Sequence, residues 1–290
     1  MLKNSSHKEN LSDLSLPFRG TGGFLYTLHL ADNTLMLAQR NSEWTGHGPV
    51  LEQDIAITNI ALDLLGQARN YYQYAATLYN GFGAEEQAAV EKYLPRLWKT
   101  YDRELQEDDL AMLRDDHQYL NLLITELPKG DWSFTVLRQF FFSAFQFYFY
   151  QQQQQSNDPQ LAAIAEKSSK EVAYHLRWSS EWVIRLGDGT EESNRRINNA
   201  LTDLWMFTGE LFLPSFYEAK AVEEDYGADV TLLKENWLQR VQTVFTEAGL
   251  TIPSQTWAQS GGKEGRHTEH LGYLLAEMQY LQRSYPNVTW

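Results

Sequence analysis

Among residue types able to do chemistry, the chain offers scattered carboxylates and seven histidines but no cysteine. Without thiols there can be no disulfide, thiolate metal site, cysteine-held iron–sulfur cluster or cysteine nucleophile, so a bound metal has to be held by oxygen and nitrogen. In a protein of long helices the arrangement to look for is a di-iron carboxylate centre. It takes one Glu from each of two helices and a Glu-x-x-His pair from each of two others. Residues i and i+3 share a helix face, which lets a carboxylate and an imidazole reach one ion.

The pattern breaks wherever it should appear. Asp63 is followed three residues later by Gly66, Gln146 offers a neutral amide within a Phe-rich stretch, and Glu43 falls near the end of its helix. Glu171 and His175 stand four apart rather than three. A residual metal site would use both, whereas as an ordinary helical pair they would hydrogen-bond each other. Glu264-Gly265-Arg266-His267 has the right spacing but lies in a Gly-rich stretch, where it reads as a helix start. His47, within Gly46-His47-Gly48-Pro49, reads as a turn or interface residue. A magnesium-dependent isoprenoid synthase would need carboxylates one helical turn apart. Four residues beyond Asp108 and Asp109 stand Met112 and Leu113, and beyond Asp115 and Asp116 stand Tyr119 and Leu120. There is no Gly-x-Gly-x-x-Gly, Walker loop or Gly-x-Ser-x-Gly. No catalytic, cofactor-binding or metal-ligating residue is therefore assigned.

The elements that would position such groups are helices. From Phe24 to about Glu43, apolar residues recur at Leu28, Ala31, Leu35 and Ala38, and the turn residues 45–49 end the run. A longer stripe of Ile57, Ile60, Ala61, Leu64, Ala68, Tyr71 and Ala75 predicts a helix over 51–80, antiparallel to the first across a short connection. Shorter helices are expected over 84–104 and 107–126, with a kink or restart at Pro95. A third long helix, 132–155, is apolar nearly all round, as a centrally buried helix would be, and its five glutamines at 151–155 read as a solvated last turn. A fourth spans 159–186, followed by helices over 190–207 and near 215–224, 229–247 and 266–285. No run alternates convincingly as a strand. The expected fold class is all-α, a four-helix bundle with additional peripheral helices. Residues 1–17, polar and aperiodic, are expected to form a flexible N-terminal tail, and 18–290 a single helical domain.

Composition narrows the partners. With 43% hydrophobic and 13% aromatic residues, the 290-residue chain can build a large core and extensive interfaces. A net charge of −14 repels phosphate backbones, so nucleic acid is not an expected partner. The polar N-terminus has no signal-peptide core, and the longest apolar run is far short of the ~20 residues of a membrane span, so a soluble cytoplasmic protein is expected.

Five stretches carry a family resemblance: LADNTLMLAQRNSEWTGHGPVLEQDIAITNIALDLLGQAR (30–69), EDDLAMLRDD (107–116), KEVAYHLRWSSEWVIRLGDGTEES (170–193), LWMFTGELF (204–212) and GRHTEHLGYLLAEMQYLQR (265–283). Together they resemble the PaaC family of phenylacetate degradation, the C subunits of ring-1,2-phenylacetyl-CoA epoxidase. The resemblance implies a ferritin-like fold and a structural, non-catalytic subunit that has lost its iron ligands. It implies a homologous di-iron catalytic subunit as partner, inserting one oxygen atom of O2 into the ring of phenylacetyl-CoA, and a reductase supplying electrons from NADPH. No cofactor is implied in this chain. A homodimer of the chain alone stays open, and the alternative reading is a ferritin-like protein with its own divergent di-metal oxidase or oxygenase site.

Overall fold

The computed structural model describes residues 20–254 and 257–288, so the expected tail at 1–17 lies outside the described residues. Four long helices make the frame: α1 (Thr21–Ser42), α2 (Leu51–Asn80), α6 (Trp132–Gln153) and α7 (Pro159–Gly187). Their starts follow local chemistry. The Asp131 carboxylate accepts from the Phe134 amide at 2.9 Å to cap α6. Asp158 does the same for the Leu161 amide of α7 at 2.8 Å, with Pro159 in the first turn, where a missing N–H costs nothing.

Cross-links between helices define the topology. Tyr26 donates to Gln153 at 2.5 Å and Asn41 to Gln139 at 2.7 Å, which sets α1 antiparallel to α6. Tyr74 donates to Asp158 at 2.5 Å near one end of α2, and Trp178 and Trp182 both donate to Gln53 near the other, which sets α2 antiparallel to α7. With short connections inside each hairpin, the long crossover 81–131 must join α2 to α6, as in the ferritin-like bundle. Around the frame lie α3 (Ala84–Val90), α4 (Glu107–Met112), α5 (Leu123–Glu126), α8 (Glu191–Leu204), α9 (Phe216–Glu223), α10 (Lys234–Ala248), α11 (Glu269–Met278) and α12 (Tyr280–Ser284). Among the described residues there is no strand, and no helix is long and apolar enough to cross a membrane.

Two expectations need correcting. Gln153 is buried rather than solvated, accepting from Tyr26 and donating to the Tyr226 carbonyl at 2.7 Å. The crossover does not form helices over 84–104 and 107–126. Only the short helices α3, α4 and α5 form there, joined by turns, and residues 119–127 are buried.

A buried irregular segment has to find partners for its backbone groups, and here side chains supply them. The Asp32 carboxylate accepts from the Leu120 amide at 2.8 Å and Asn33 from the Leu122 amide at 2.7 Å, while His29 Nδ1 meets the Leu120 carbonyl at 2.6 Å. Arg40 Nε donates to the Glu126 carbonyl at 2.9 Å, and Arg138 to the Leu127 carbonyl at 2.5 Å. Burial pushes the Arg138 guanidinium down to about 9, with the Arg40 charge adding to the effect. From the far side, the Glu210 carboxylate accepts from the amides of Leu123, Gly261 and Gly262, each at 2.8 Å. A Cβ at Gly262 would lie 2.2 Å from the Asn121 carbonyl oxygen, so only glycine allows this approach.

The tie at the centre is ionic. Arg114, fully buried, forms a two-pronged ion pair with fully buried Asp32 and donates to the carbonyls of Leu110 (2.6 Å) and Gln118 (2.7 Å). Its guanidinium lies 4.1 Å from the centre of the Tyr119 ring, and Tyr72 of α2 donates to Asp32 at 2.5 Å. Arg114→Ala leaves Asp32 uncompensated in the core and is expected to cost about 3–5 kcal/mol, against about 1 kcal/mol for Tyr72→Phe. Urea denaturation of the two variants checks the ranking.

Candidate functional site

The place to look for chemistry in such a bundle is the polar level where α2, α6 and α7 meet. Gln67 sits at its centre. Its Nε2 donates to Glu171 Oε2 at 2.9 Å, and its Oε1 accepts from the Tyr150 hydroxyl at 3.1 Å and from Gln146 Nε2 at 3.4 Å. Burial raises the Tyr150 phenol well above its ordinary value, so it stays protonated and donates. One step along α2, His175 Nε2 lies 3.0 Å from Asp63 Oδ2, with His175 fully buried and the Asp63 side chain 38% exposed.

The anticipated Glu171–His175 pair therefore does not form. Both side chains reach across to α2 instead, Glu171 to Gln67 and His175 to Asp63. On α2 the core-facing residues are Leu64 and Gln67, while Asp63 lies at the edge and Gly66 faces outward, so Asp63 and Gly66 are not the pair that faces the core. Three residues before His175 stands buried Val172, apolar where a Glu-x-x-His pair would carry its carboxylate. Gln67 escaped sequence reasoning, although a polar residue on the apolar stripe between Leu64 and Tyr71 is the signal that marks it.

The donor set does not fit a di-iron centre. Iron pairs in this architecture are balanced by four carboxylates and two imidazoles. Here two neutral amides and a protonated phenol hold the central positions beside one carboxylate, and the polar hydrogens of Gln67, Gln146 and Tyr150 are already directed at protein acceptors. Among the described residues no group of three or more His, Asp or Glu side chains is arranged to hold a metal ion.

Most of the other acidic and basic candidates have structural partners. Glu43 pairs with Arg40 at 2.8 Å, and His47 Nδ1 meets the Thr45 carbonyl at 3.1 Å in the exposed turn. Asp109 takes a two-pronged contact from Arg103 at 2.6 and 2.8 Å and caps α4 through the Gln106 amide. Glu107 accepts from Gln73 at 3.0 Å, Asp115 pairs with Arg283, and Asp116 with His117. Glu264 turns to Arg266 at 2.6 Å while His267 turns inward, so this spacing match brings no ligands together.

The molecule is thus a ferritin-like four-helix protein whose central level is closed by amides and a phenol. The chain belongs to the PaaA_PaaC family of phenylacetic acid catabolic proteins, whose model it matches over residues 21–290. It is 43% identical over 265 residues to the C subunit of the 1,2-phenylacetyl-CoA epoxidase of Escherichia coli K12, an alignment covering 91% of this chain and 98% of that protein.

Two outcomes can be measured. His175→Ala removes a fully buried side chain and its bond to Asp63, and is expected to cost about 2–3 kcal/mol; Glu171→Ala, at a half-exposed position, should cost under about 1 kcal/mol. Thermal melts order the two. His267 offers a pH test, since its Nδ1 lies 2.7 Å from Glu126 Oε2 and its Nε2 2.9 Å from the Tyr119 carbonyl, and only the imidazolium donates to both. Burial lowers the imidazole pKa, but the Glu126 carboxylate and the Tyr119 carbonyl outweigh it and the net shift is upward. A raised folded-state pKa stabilises fully below the unfolded value of ~6.5 and loses that contribution as pH rises through the folded value. The melting temperature should fall as pH rises above ~6.5, and His267→Gln should flatten that fall.

Proposed function

We propose that this chain is the C subunit of a phenylacetyl-CoA epoxidase and acts as the non-catalytic partner of a homologous di-iron subunit. In that assembly the partner carries out oxygen insertion and a reductase delivers electrons from NADPH. The observation that carries the reading is the Gln67 amide, hydrogen-bonded at both ends to Glu171, Tyr150 and Gln146 in the level where ferritin-like oxygenases hold metal. Likeness to a named epoxidase subunit along nearly the full length of both chains supports the choice of complex. This chain's part is then to offer a rigid surface to the subunit that carries the chemistry.

The expected result after anaerobic iron loading is well under one iron per purified chain. An NADPH-oxidation assay with phenylacetyl-CoA should need this chain together with the di-iron subunit and reductase, and the chain alone should turn over nothing. Two tightly held irons per chain, or full epoxidation without the chain, would sink the proposal.

A further inference from the structure

A groove between α8 and the turn that leads into α6 holds a cavity of about 550 Å3, within the ~300–1,000 Å3 of sites that take small molecules. Its apolar wall is built by Leu127, Phe134, Ala200 and Phe207. Its polar lining has N–H groups to spare. Arg195 and Arg196 share one carboxylate, Glu192, the first through Nε and Nη2 at 3.0 and 2.8 Å and the second through Nε at 2.7 Å. Arg196 Nη1 lies 3.7 Å from Asp131 Oδ2, beyond a hydrogen bond, while the other oxygen of Asp131 caps α6. The Asn199 amide and the His270 imidazole also line the cavity and have no hydrogen-bond partner among the described residues. Behind Leu127 and Pro128 lies Arg138, fully buried, whose Nη1 bonds their two carbonyls and whose Nε and Nη2 have no partner among the described residues.

These groups select a ligand by charge and by shape. Two guanidiniums on one shared carboxylate, with a buried guanidinium behind the wall that has no acidic partner, favour an anion at that end of the groove. Asp203, which also lines the cavity, stands seven residues beyond Arg196 on α8, about 10 Å along the helix axis. The arginine end is thereby left cationic. Ala200 follows Arg196 by one turn, about 6 Å, a span that a carboxylate joined to an aromatic ring by a short alkyl link covers. Phe134 and Phe207 offer that ring edge-to-face or offset contacts, the arrangements aromatic pairs prefer. We propose that this groove is a binding site for a small arylalkyl carboxylate, with its acid group held by Arg196 and Arg195 and its ring against Phe134, Ala200 and Phe207. The site is read from the cavity alone and goes beyond the subunit role.

Ligand-observed NMR titration of the full chain with phenylacetate is expected to give a Kd below ~1 mM, with acetate, which lacks the ring, and phenylacetamide, which lacks the charge, each at least about tenfold weaker. Arg196→Gln should weaken phenylacetate at least about tenfold and bring it level with the amide. Asn199→Trp, at an exposed position, should fill the groove and weaken binding by a similar factor with an unchanged melting temperature. Absence of phenylacetate binding at ~10 mM, acetate or phenylacetamide binding as tightly as phenylacetate, or failure of either substitution to weaken phenylacetate would overturn the site.

Discussion

A buried stretch of chain with no more than one turn of helix must have most of its amides and carbonyls answered by something else, and in this protein residues 119–127, helical only over Leu123–Glu126, impose that demand on everything around them. The first helix meets much of it, with His29, Asp32, Asn33 and Arg40 all directed at the crossover. The Arg114–Asp32 pair fixes the arrangement in one geometry, because the guanidinium also gathers the carbonyls of Leu110 and Gln118 and stacks on Tyr119. Buried ion pairs gain little over apolar packing when intact, yet breaking one is costly. The pair therefore specifies this crossover path more than it adds net stability.

The C-terminal third closes over the same segment from outside. Lys263 bonds Glu218 at 2.9 Å, and its ammonium, with His29 beside it, holds that fully buried carboxyl well below the usual range despite the opposing effect of burial. Glu126 accepts from the Thr268 amide and hydroxyl as well as from His267, so the start of α11 is tied to the crossover through one carboxylate. Each of these buried charges has a partner on a different part of the chain. The polar interior of this bundle works as a set of fasteners between remote segments, and the level on α2, α6 and α7 follows the same logic with amides in place of metal ligands.

Much of the frame was legible in the sequence. Apolar periodicity of 3.6 and the punctuation at Gly46-His47-Gly48-Pro49, Gly81-Phe82-Gly83 and Ser156-Asn157-Asp158-Pro159 delimit the long helices, because a helix face and its breakers are local properties. The lack of a Glu-x-x-His pair on any of the long helices was equally plain, being a matter of residue type and spacing. What the tertiary structure decided was the partner of each polar residue. Glu171 and His175 look like a pair in one dimension, yet rotation about α7 points them at two residues of α2. The crossover looked helical over 107–126 because nothing in its own residues announces that side chains of α1 will take its backbone hydrogen bonds. Periodicity records which face of a helix is buried, whereas a hydrogen-bond partner some ninety residues away is set only when the helices pack.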